Sequence, residues 1–204
     1  MKTNLKNKGF RRILLALACA VLTMGSVWAD NDAPVMKIIN AGMGKQFALQ
    51  VEGLAARAQF QIMTASGTVL VSENIKQPSY EGLYNLQALE AGEYTLVLKT
   101  ELREIEQPIY VTDRLVYFDA NERKEWTLPV LQLTGRNLDF SFLNQAQGPV
   151  KLTLYSEDGT QLHEETIEQA LTIEKRFDLT RAPRGEYTMR IQANHRTWYR
   201  TVTY

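Results

Sequence analysis

The sequence of 204 residues predicts an all-β protein in which two tandem β-sandwiches follow an N-terminal signal peptide. Three observations support this prediction: an internal duplication, an alternation of apolar residues, and a basic then apolar N-terminus. The duplication is plainest in Gly-Glu-Tyr-Thr, which occurs at residues 92–95 and again at 185–188. Each copy follows a turn and begins a run with period two, the pattern of a strand with one buried face.

The first 29 residues are predicted to be a secretory signal peptide. Five basic residues and no acidic residue precede an apolar run at 13–27, and Val27-Trp28-Ala29 supplies small residues before Asp30. The apolar run is short for the roughly 20 residues that span a bilayer. We therefore expect cleavage after residue 29 and no transmembrane segment in the mature chain. Lipidation at Cys19 is the weaker alternative.

Removal of the signal peptide changes the charge of the chain. It takes away 5 of the 23 basic residues, which leaves 18 against 23 acidic residues, a net charge of −5. A nucleic-acid partner requires a basic surface, so we do not expect one. Cys19 is lost as well, so the mature chain would have no disulfide, no thiol nucleophile and no thiolate metal site.

The duplication extends well beyond the repeated tetrapeptide. Shifts between 92 and 95 residues align further pairs along the two halves: Pro34 with Pro129, Phe47 with Phe140, Leu49 with Phe142, Phe60 with Leu152, Gly67 with Gly159, and Leu86 with Leu179. A period of this length indicates two whole domains rather than a stack of short repeats. We predict a first sandwich domain at 30–119 and a second at 120–204.

Each half is predicted to consist of strands. Alternating runs occur at 47–51 and 94–98 in the first half and at 138–142 and 187–191 in the second. Hairpin turns are expected at Ser66-Gly67 and Asp158-Gly159. About seven short strands in each copy, with closely spaced turns, predict immunoglobulin-like or fibronectin III-like Greek-key sandwiches.

The repeated Gly-Glu-Tyr-Thr has a structural interpretation. It resembles the corner motif of such sandwiches, in which a glycine makes a tight turn and a tyrosine packs inward while its hydroxyl bonds back to the backbone. Tyr94 and Tyr187 are therefore expected to belong to the scaffold rather than to a ligand site.

The segment between the copies has a polar centre, Asp-Ala-Asn-Glu-Arg-Lys, at residues 119–124. We expect a short solvated linker that keeps the two sandwiches close and limits hinge motion. Its Asp, Asn and Glu oxygens would suit calcium, but the glycine and the ordered spacing of a calcium loop are missing.

The sequence contains no recognisable catalytic motif. His163 and His195 share no metal-ligand spacing, and both are expected to face solvent. There is no Gly-x-Ser-x-Gly elbow, phosphate-binding glycine loop or dinucleotide fingerprint. The acidic residues, among them Glu104 and Glu106, are interpreted as exposed strand and turn charges. We predict no enzymatic activity, no cofactor and no metal.

The C-terminal residues from Arg190 onward are the most suggestive surface, because they carry arginines and aromatic rings and no acid. Exposed aromatic rings flanked by arginine can stack on sugars or anchor a protein partner. The plainer alternative is a last strand with one buried aromatic ring and a charged edge. The predicted binding surface comprises Trp198, Tyr199, Arg196, Arg200 and Trp126.

The pattern Leu152-x-Leu154, Gly159, Phe177-x-Leu179, then Gly185-x-Tyr187-x-x-x-Ile191 is similar to small immunoglobulin-like modules of secreted Bacteroidota proteins. The resemblance covers both halves of the chain. It is closer to a family of unknown function and more distant from the C-terminal sorting domains of type IX secretion, since the second copy opens with Leu128-Pro129-Val130 instead of Pro-Asn-Pro. It implies export and a role outside the cytoplasm.

Together these observations predict a non-enzymatic exported protein that acts as a binding or structural module in the periplasm, at the cell surface or outside the cell. We expect its partner to be a protein or a component of the cell envelope. Two alternatives stay open: a type IX sorting or attachment protein, and a carbohydrate-binding module that uses Trp198, Tyr199 or Trp126.

Overall fold

The computed structural model describes residues 34–40 and 44–204. The predicted signal peptide lies outside these residues. The described part of the chain belongs to the compact unit Asp32–Tyr204 and consists of strands and turns, with one 3₁₀ turn at Ala120–Glu122. None of its helical segments has the length and apolar character needed to cross a membrane. The all-β prediction is confirmed.

The first lobe is formed by the strands up to residue 127. In the described residues they are β1 (Val35–Asn40), β2 (Gln46–Glu52), β3 (Ala58–Thr64), β4 (Val69–Ile75), β5 (Tyr80–Asn85), β6 (Gly92–Lys99), β7 (Arg103–Val111), β8 (Val116–Tyr117) and β9 (Lys124–Thr127). The smaller sheet has the order β1-β2-β5, and the larger has the order β4-β3-β6-β7-β8, with β9 also paired to β7.

The second lobe repeats this arrangement with seven strands. They are β10 (Val130–Thr134), β11 (Asn137–Leu143), β12 (Val150–Tyr155), β13 (Gln161–Ile167), β14 (Thr172–Asp178), β15 (Glu186–Ala193) and β16 (Arg196–Thr203). The sheets have the orders β10-β11-β14 and β13-β12-β15-β16. In both lobes the fourth strand pairs with the third, which is the fibronectin III arrangement of the immunoglobulin-like sandwich. The predicted immunoglobulin-like or fibronectin III-like sandwich fold is confirmed.

Each lobe buries its own set of apolar side chains. The first cluster runs from Met36 to Val116 and the second from Leu128 to Trp198, and each takes residues from both of its sheets. Alternation directs these side chains inward, as in β2, where every second residue is buried. Burial of apolar surface between paired sheets is the main stabilising contribution in each lobe. The division into domains at 30–119 and 120–204 stays a prediction.

The tyrosine corners occur in both lobes as predicted. The Tyr94 hydroxyl donates a hydrogen bond to the carbonyl oxygen of Glu90 at 3.1 Å, and the Tyr187 hydroxyl donates to that of Pro183 at 2.6 Å. Both rings are buried. Each bond ties the start of the sixth strand of a lobe to the loop before it, so the repeated motif is part of the scaffold.

The predicted alignment of Phe47 with Phe140 is wrong by two residues. Phe47 lies opposite Tyr84 across the β2–β5 pair, whereas Leu138 lies opposite Phe177 across the β11–β14 pair. Tyr84 and Phe177 stand equally far before the repeated motif, so the counterpart of Phe47 is Leu138. A slip of two residues leaves every side chain on the same face, which is why the alternation could not reveal it.

The segment predicted as a solvated linker is folded onto the first lobe. β8 and β9 both pair with β7, and the 3₁₀ turn lies between them. The side chain of Gln107 is buried. Its Nε2 donates to the carbonyl oxygen of Asp119 at 2.8 Å, and its Oε1 accepts from Arg123 Nε at 3.3 Å. A buried amide with partners on both sides holds this segment in place.

A carboxylate joins the two sheets of the first lobe at the β4 and β5 edges. Glu73 of β4 accepts hydrogen bonds from the hydroxyls of Tyr80 and Tyr84 of β5, the latter at 2.9 Å. A Cβ atom at Gly82 would lie 2.5 Å from the Tyr80 hydroxyl, so glycine leaves the space that this side chain needs. Burial, followed by the hydrogen bonds with the Tyr80 hydroxyl at 2.9 Å and with Glu73, raises the pKa of Tyr84. Burial is also the main reason that the pKa of Tyr80 is raised.

Replacement of either corner tyrosine by phenylalanine should destabilise the protein. Tyr94→Phe and Tyr187→Phe each remove one buried hydrogen bond and leave the ring in place, so we expect a loss of about 1 kcal/mol in the free energy of unfolding. Urea denaturation followed by fluorescence measures it. Tyr199→Phe is the control, because this ring is 60% exposed and its stability effect should be near zero. Equal effects at all three positions would contradict the assignment.

The tyrosine pair should also make stability sensitive to alkali. Because the folded pKa of Tyr84 is raised above its unfolded value near 10, its contribution is complete below that pH and is lost as the pH rises through the folded pKa. We expect the free energy of unfolding to fall from about pH 10 upward, with a shallower slope in Tyr84→Phe. Denaturation curves between pH 8 and pH 11 test this, and parallel slopes would contradict it.

Candidate functional site at the junction of the lobes

The strand β9 leads from the first lobe into the second and is anchored to both. Its pairing with β7 makes it part of the larger sheet of the first lobe. The amide of Leu128 donates to the carbonyl oxygen of Leu102 at 2.8 Å, and the Thr127 hydroxyl donates to that of Leu143 in the second lobe at 2.5 Å. The connecting backbone is therefore hydrogen-bonded up to the point where the second core begins.

A single arginine of the second lobe spans the junction. Arg196, the first residue of β16, donates through Nη1 to Glu104 Oε1 at 2.9 Å and through Nη2 to Glu106 Oε1. Its guanidinium carbon lies 4.4 Å from the centre of the Trp126 ring. We call Arg196, Glu104, Glu106 and Trp126 the junction cluster. Each polar edge of the guanidinium meets a carboxylate, while its face meets an indole.

The position of these groups follows from strand geometry. Glu104 and Glu106 are two residues apart on β7, so they project from the same face of the sheet. Trp126 lies directly opposite Glu104 on the paired strand. The side chains of Glu104 and Glu106 are only 13% and 22% exposed. The prediction that these two are exposed charges is therefore wrong, because the second lobe covers them.

A second cation, Lys99, offsets the negative charge of the two glutamates in the junction cluster. Lys99 Nζ lies 3.5 Å from Glu104 Oε2, on the carboxylate oxygen that Arg196 does not use. Two carboxylates thus meet two cations in a partly buried place, where charge-assisted hydrogen bonds are stronger than on an open surface. Because Arg196 of the second lobe contacts two carboxylates and an aromatic ring of the first, it links the two lobes.

The five residues of the predicted binding surface are placed differently from one another. Trp126 and Arg196 meet in the junction cluster. Trp198 is buried and packs on Phe142, with 5.7 Å between the ring centres, whereas Tyr199 is 60% exposed on the other face of β16. Of these five residues, only Tyr199 is largely open to solvent.

Arg200 supports the start of the second lobe. Its Nε donates to the carbonyl oxygen of Pro129 at 3.0 Å, and burial lowers the pKa of this guanidinium. The binding role of the five residues stays a prediction. The contacts of Trp126, Arg196, Trp198 and Arg200 are already made within the chain.

A small cleft opens beside the junction cluster. Trp126, Phe142 and Trp198 are among the residues that line it, and its volume is about 130 Å³. Trp126 Nε1 is buried and has no hydrogen-bond partner. Pockets for small molecules usually hold about 300–1,000 Å³, so this cleft is smaller than a usual small-molecule pocket.

The histidines lie where the sequence predicts. His163 is exposed on β13, with Nε2 at 3.5 Å from Glu165 Oε1, and His195 is in the exposed turn before β16. Within residues 34–40 and 44–204, no group of three or more His, Cys, Asp or Glu side chains is placed to hold a metal ion.

The sequence matches no protein-family model and no curated protein. Among solved structures it is similar to the BSP domain of a biofilm associated protein, with 15% identity over 83% of this chain and a TM-score of 0.28; the chain spans 28% of that protein's length. A two-domain fibronectin type III segment of chicken tenascin has 11% identity, 85% and 100% coverage, and a TM-score of 0.28.

The human OSCAR ligand-binding domain is similar to the same degree, with 11% identity, coverage of 84% of this chain and 97% of that one, and a TM-score of 0.27. Similarities with TM-scores this low do not support a fold assignment. The fold assignment above therefore rests on the strand orders and registers of this chain.

Loss of Arg196 should loosen the junction. In Arg196→Ala, two carboxylates lose a charged donor, so we expect a loss of about 2 kcal/mol in the free energy of unfolding. Arg196→Lys keeps the charge but not the two-sided geometry, and it should restore only part of this loss. Small-angle X-ray scattering should show a larger radius of gyration for Arg196→Ala.

The matched control for this experiment is Arg176→Ala. It removes an arginine with two hydrogen bonds to a carboxylate, Asp139, but its side chain is 65% exposed and it lies within one lobe. We expect no change in the radius of gyration. The same scattering curve for both alanine variants would contradict a special role for Arg196.

Proposed function

We propose that this protein is an exported, non-enzymatic module whose two sandwiches act as one rigid binding or structural unit in the periplasm or at the cell surface. The observation that carries the proposal is the junction cluster, in which Arg196 joins the carboxylates of Glu104 and Glu106 across the lobes. Its partner would be a protein or a component of the cell envelope.

Rigidity is the property that a structural or presenting module needs. Tandem domains usually move relative to each other unless their interface is substantial. Here the connecting strand β9 belongs to a sheet, and a charged cluster supports it from the other lobe. Such an arrangement keeps two surfaces at a constant distance and angle, which favours a role in spacing or presentation.

We also propose a relationship to a known group of secreted proteins. The corner motifs at Gly92-Glu93-Tyr94 and Gly185-Glu186-Tyr187 support a likeness to secreted immunoglobulin-like modules of Bacteroidota. Type IX sorting and carbohydrate binding are the alternatives. The buried position of Trp198 and the 130 Å³ volume of the nearby cleft weigh against carbohydrate binding at the junction.

Export is tested by fractionation of cells that produce the full chain. We expect the protein in the periplasmic or surface fraction, with a mature N-terminus at Asp30 by N-terminal sequencing. The matched control is Leu14→Arg with Leu15→Arg, which interrupts the apolar run that the export machinery reads. This variant should stay uncleaved in the cytoplasm. Uncleaved wild-type protein in the cytoplasm would refute the export proposal, and affinity capture from the correct fraction identifies the partner.

A further inference from the structure

The outer face of the smaller sheet of the first lobe carries an exposed apolar row. The strand registers place Ile39 of β1, Ala48 of β2 and Leu83 of β5 side by side. Ile39 on the edge strand β1 is 46% exposed, and Leu83 on the edge strand β5 is 67% exposed. Adjacent exposed apolar side chains on a sheet face are a common feature of interaction surfaces.

The second lobe provides an internal comparison for this row. At the same three positions it has Gln132, Asp139 and Arg176, again side by side. Arg176 donates to Asp139 through Nε at 2.6 Å and through Nη2 at 3.1 Å, and this pair of hydrogen bonds lowers the pKa of Asp139. The fold therefore accepts a charged, solvated row at this place. The apolar row of the first lobe is not a requirement of the fold.

The neighbouring row shows which partner would fit. Lys37 on β1, Gln50 on β2 and Glu81 on β5 lie side by side, and Gln50 donates to Glu81 at 3.1 Å. The β1 edge of the face thus carries Lys37, which also lies 3.4 Å from Glu52 Oε2 of β2. The β5 edge carries Glu81, and the two edges are separated by two strand spacings of about 4.8 Å each. Such a face is complementary to itself when a second copy is turned by 180° about the direction of β2.

We propose that this face is the contact of a homodimer. In that arrangement Lys37 of each copy lies over Glu81 of the other, and Ile39 lies over Leu83. Ala48 faces its own counterpart, and its small side chain lets the two sheets approach to the usual spacing of about 10 Å. The contact is isologous, so it closes at two copies and does not propagate.

The contact is expected to be weak. A face of three short strands is smaller than the standard stable interface of about 1,600 Å², so the protein should exist in equilibrium between monomer and dimer. This inference does not depend on export or on the junction cluster, because all of its residues lie in β1, β2 and β5.

The first test transfers the chemistry of the second lobe to the first. Ala48→Asp with Leu83→Arg copies the Asp139–Arg176 pair to the equivalent positions, where the second lobe shows that the fold accepts it. Sedimentation velocity of the purified protein should show a sedimentation coefficient that rises with concentration. The double variant should stay at the monomer value throughout, with an unchanged circular dichroism spectrum.

The second test addresses the geometry of the charged pair. Lys37→Glu places like charges opposite each other twice in the dimer and should weaken association about fivefold or more. Lys37→Glu combined with Glu52→Lys and Glu81→Lys reverses every charge of the face, including the Lys37–Glu52 pair within each copy, and should recover the wild-type dissociation constant. Failure of this recovery, with both variants folded, would overturn the proposed pairing.

A control variant separates the face from the free edge of the same lobe. Val69 is exposed on the edge strand β4, and its counterpart on β13 is Gln161. Val69→Gln should leave dimerisation unchanged. If it abolished dimerisation while the Asp–Arg transfer did not, the copies would pair through their edges and the proposal would be wrong. A wild-type protein that stays monomeric at all concentrations would also overturn it.

Discussion

The guanidinium of Arg196 lies between the carboxylates of Glu104 and Glu106 and against the ring of Trp126, at the point where the two lobes meet. Each sandwich has its own apolar cluster, so the relation between the lobes depends on polar contacts and on the pairing of β9. A partly buried carboxylate pair without a cation would repel, and the arginine turns that repulsion into attraction. The proposed role as one rigid unit depends on this cluster.

The duplication shows how one scaffold carries two surface chemistries. Glu73 and Glu165 occupy equivalent places on β4 and β13, opposite Phe60 and Leu152 respectively. Glu73 accepts from two tyrosine hydroxyls, whereas Glu165 is bound by Lys175 at 2.7 Å. In both lobes a glutamate on one sheet is bound by side chains of the other sheet. The glutamate is the same in the two copies, whereas the residues that bind it differ. The outer face of the smaller sheet is not held by such a contact between the sheets, so its chemistry could differ between the lobes.

The sequence predicts only some of the residues and contacts of the junction site. The sequence identifies Arg196 and Trp126 as unusual residues, and strand alternation correctly places Trp198 and Tyr199 on opposite faces. It does not bring Arg196 to Glu104, because these residues are 92 positions apart and no local pattern relates them. The glutamates also resemble solvated strand charges, since alternation is the same whether the outer face meets water or a second lobe.

The sequence by itself determined the all-β class, the two similar halves, their inward-facing residues and the tyrosine corners. These depend on period-two alternation and on local turn chemistry, which neighbouring residues encode. The tertiary structure decided which residues of β2 and β11 are equivalent in the two lobes, the folding of residues 119–127 onto β7 and the partial burial of the junction glutamates. Each of these depends on contacts between distant segments, and a shift by two residues or a covered face leaves the local pattern unchanged.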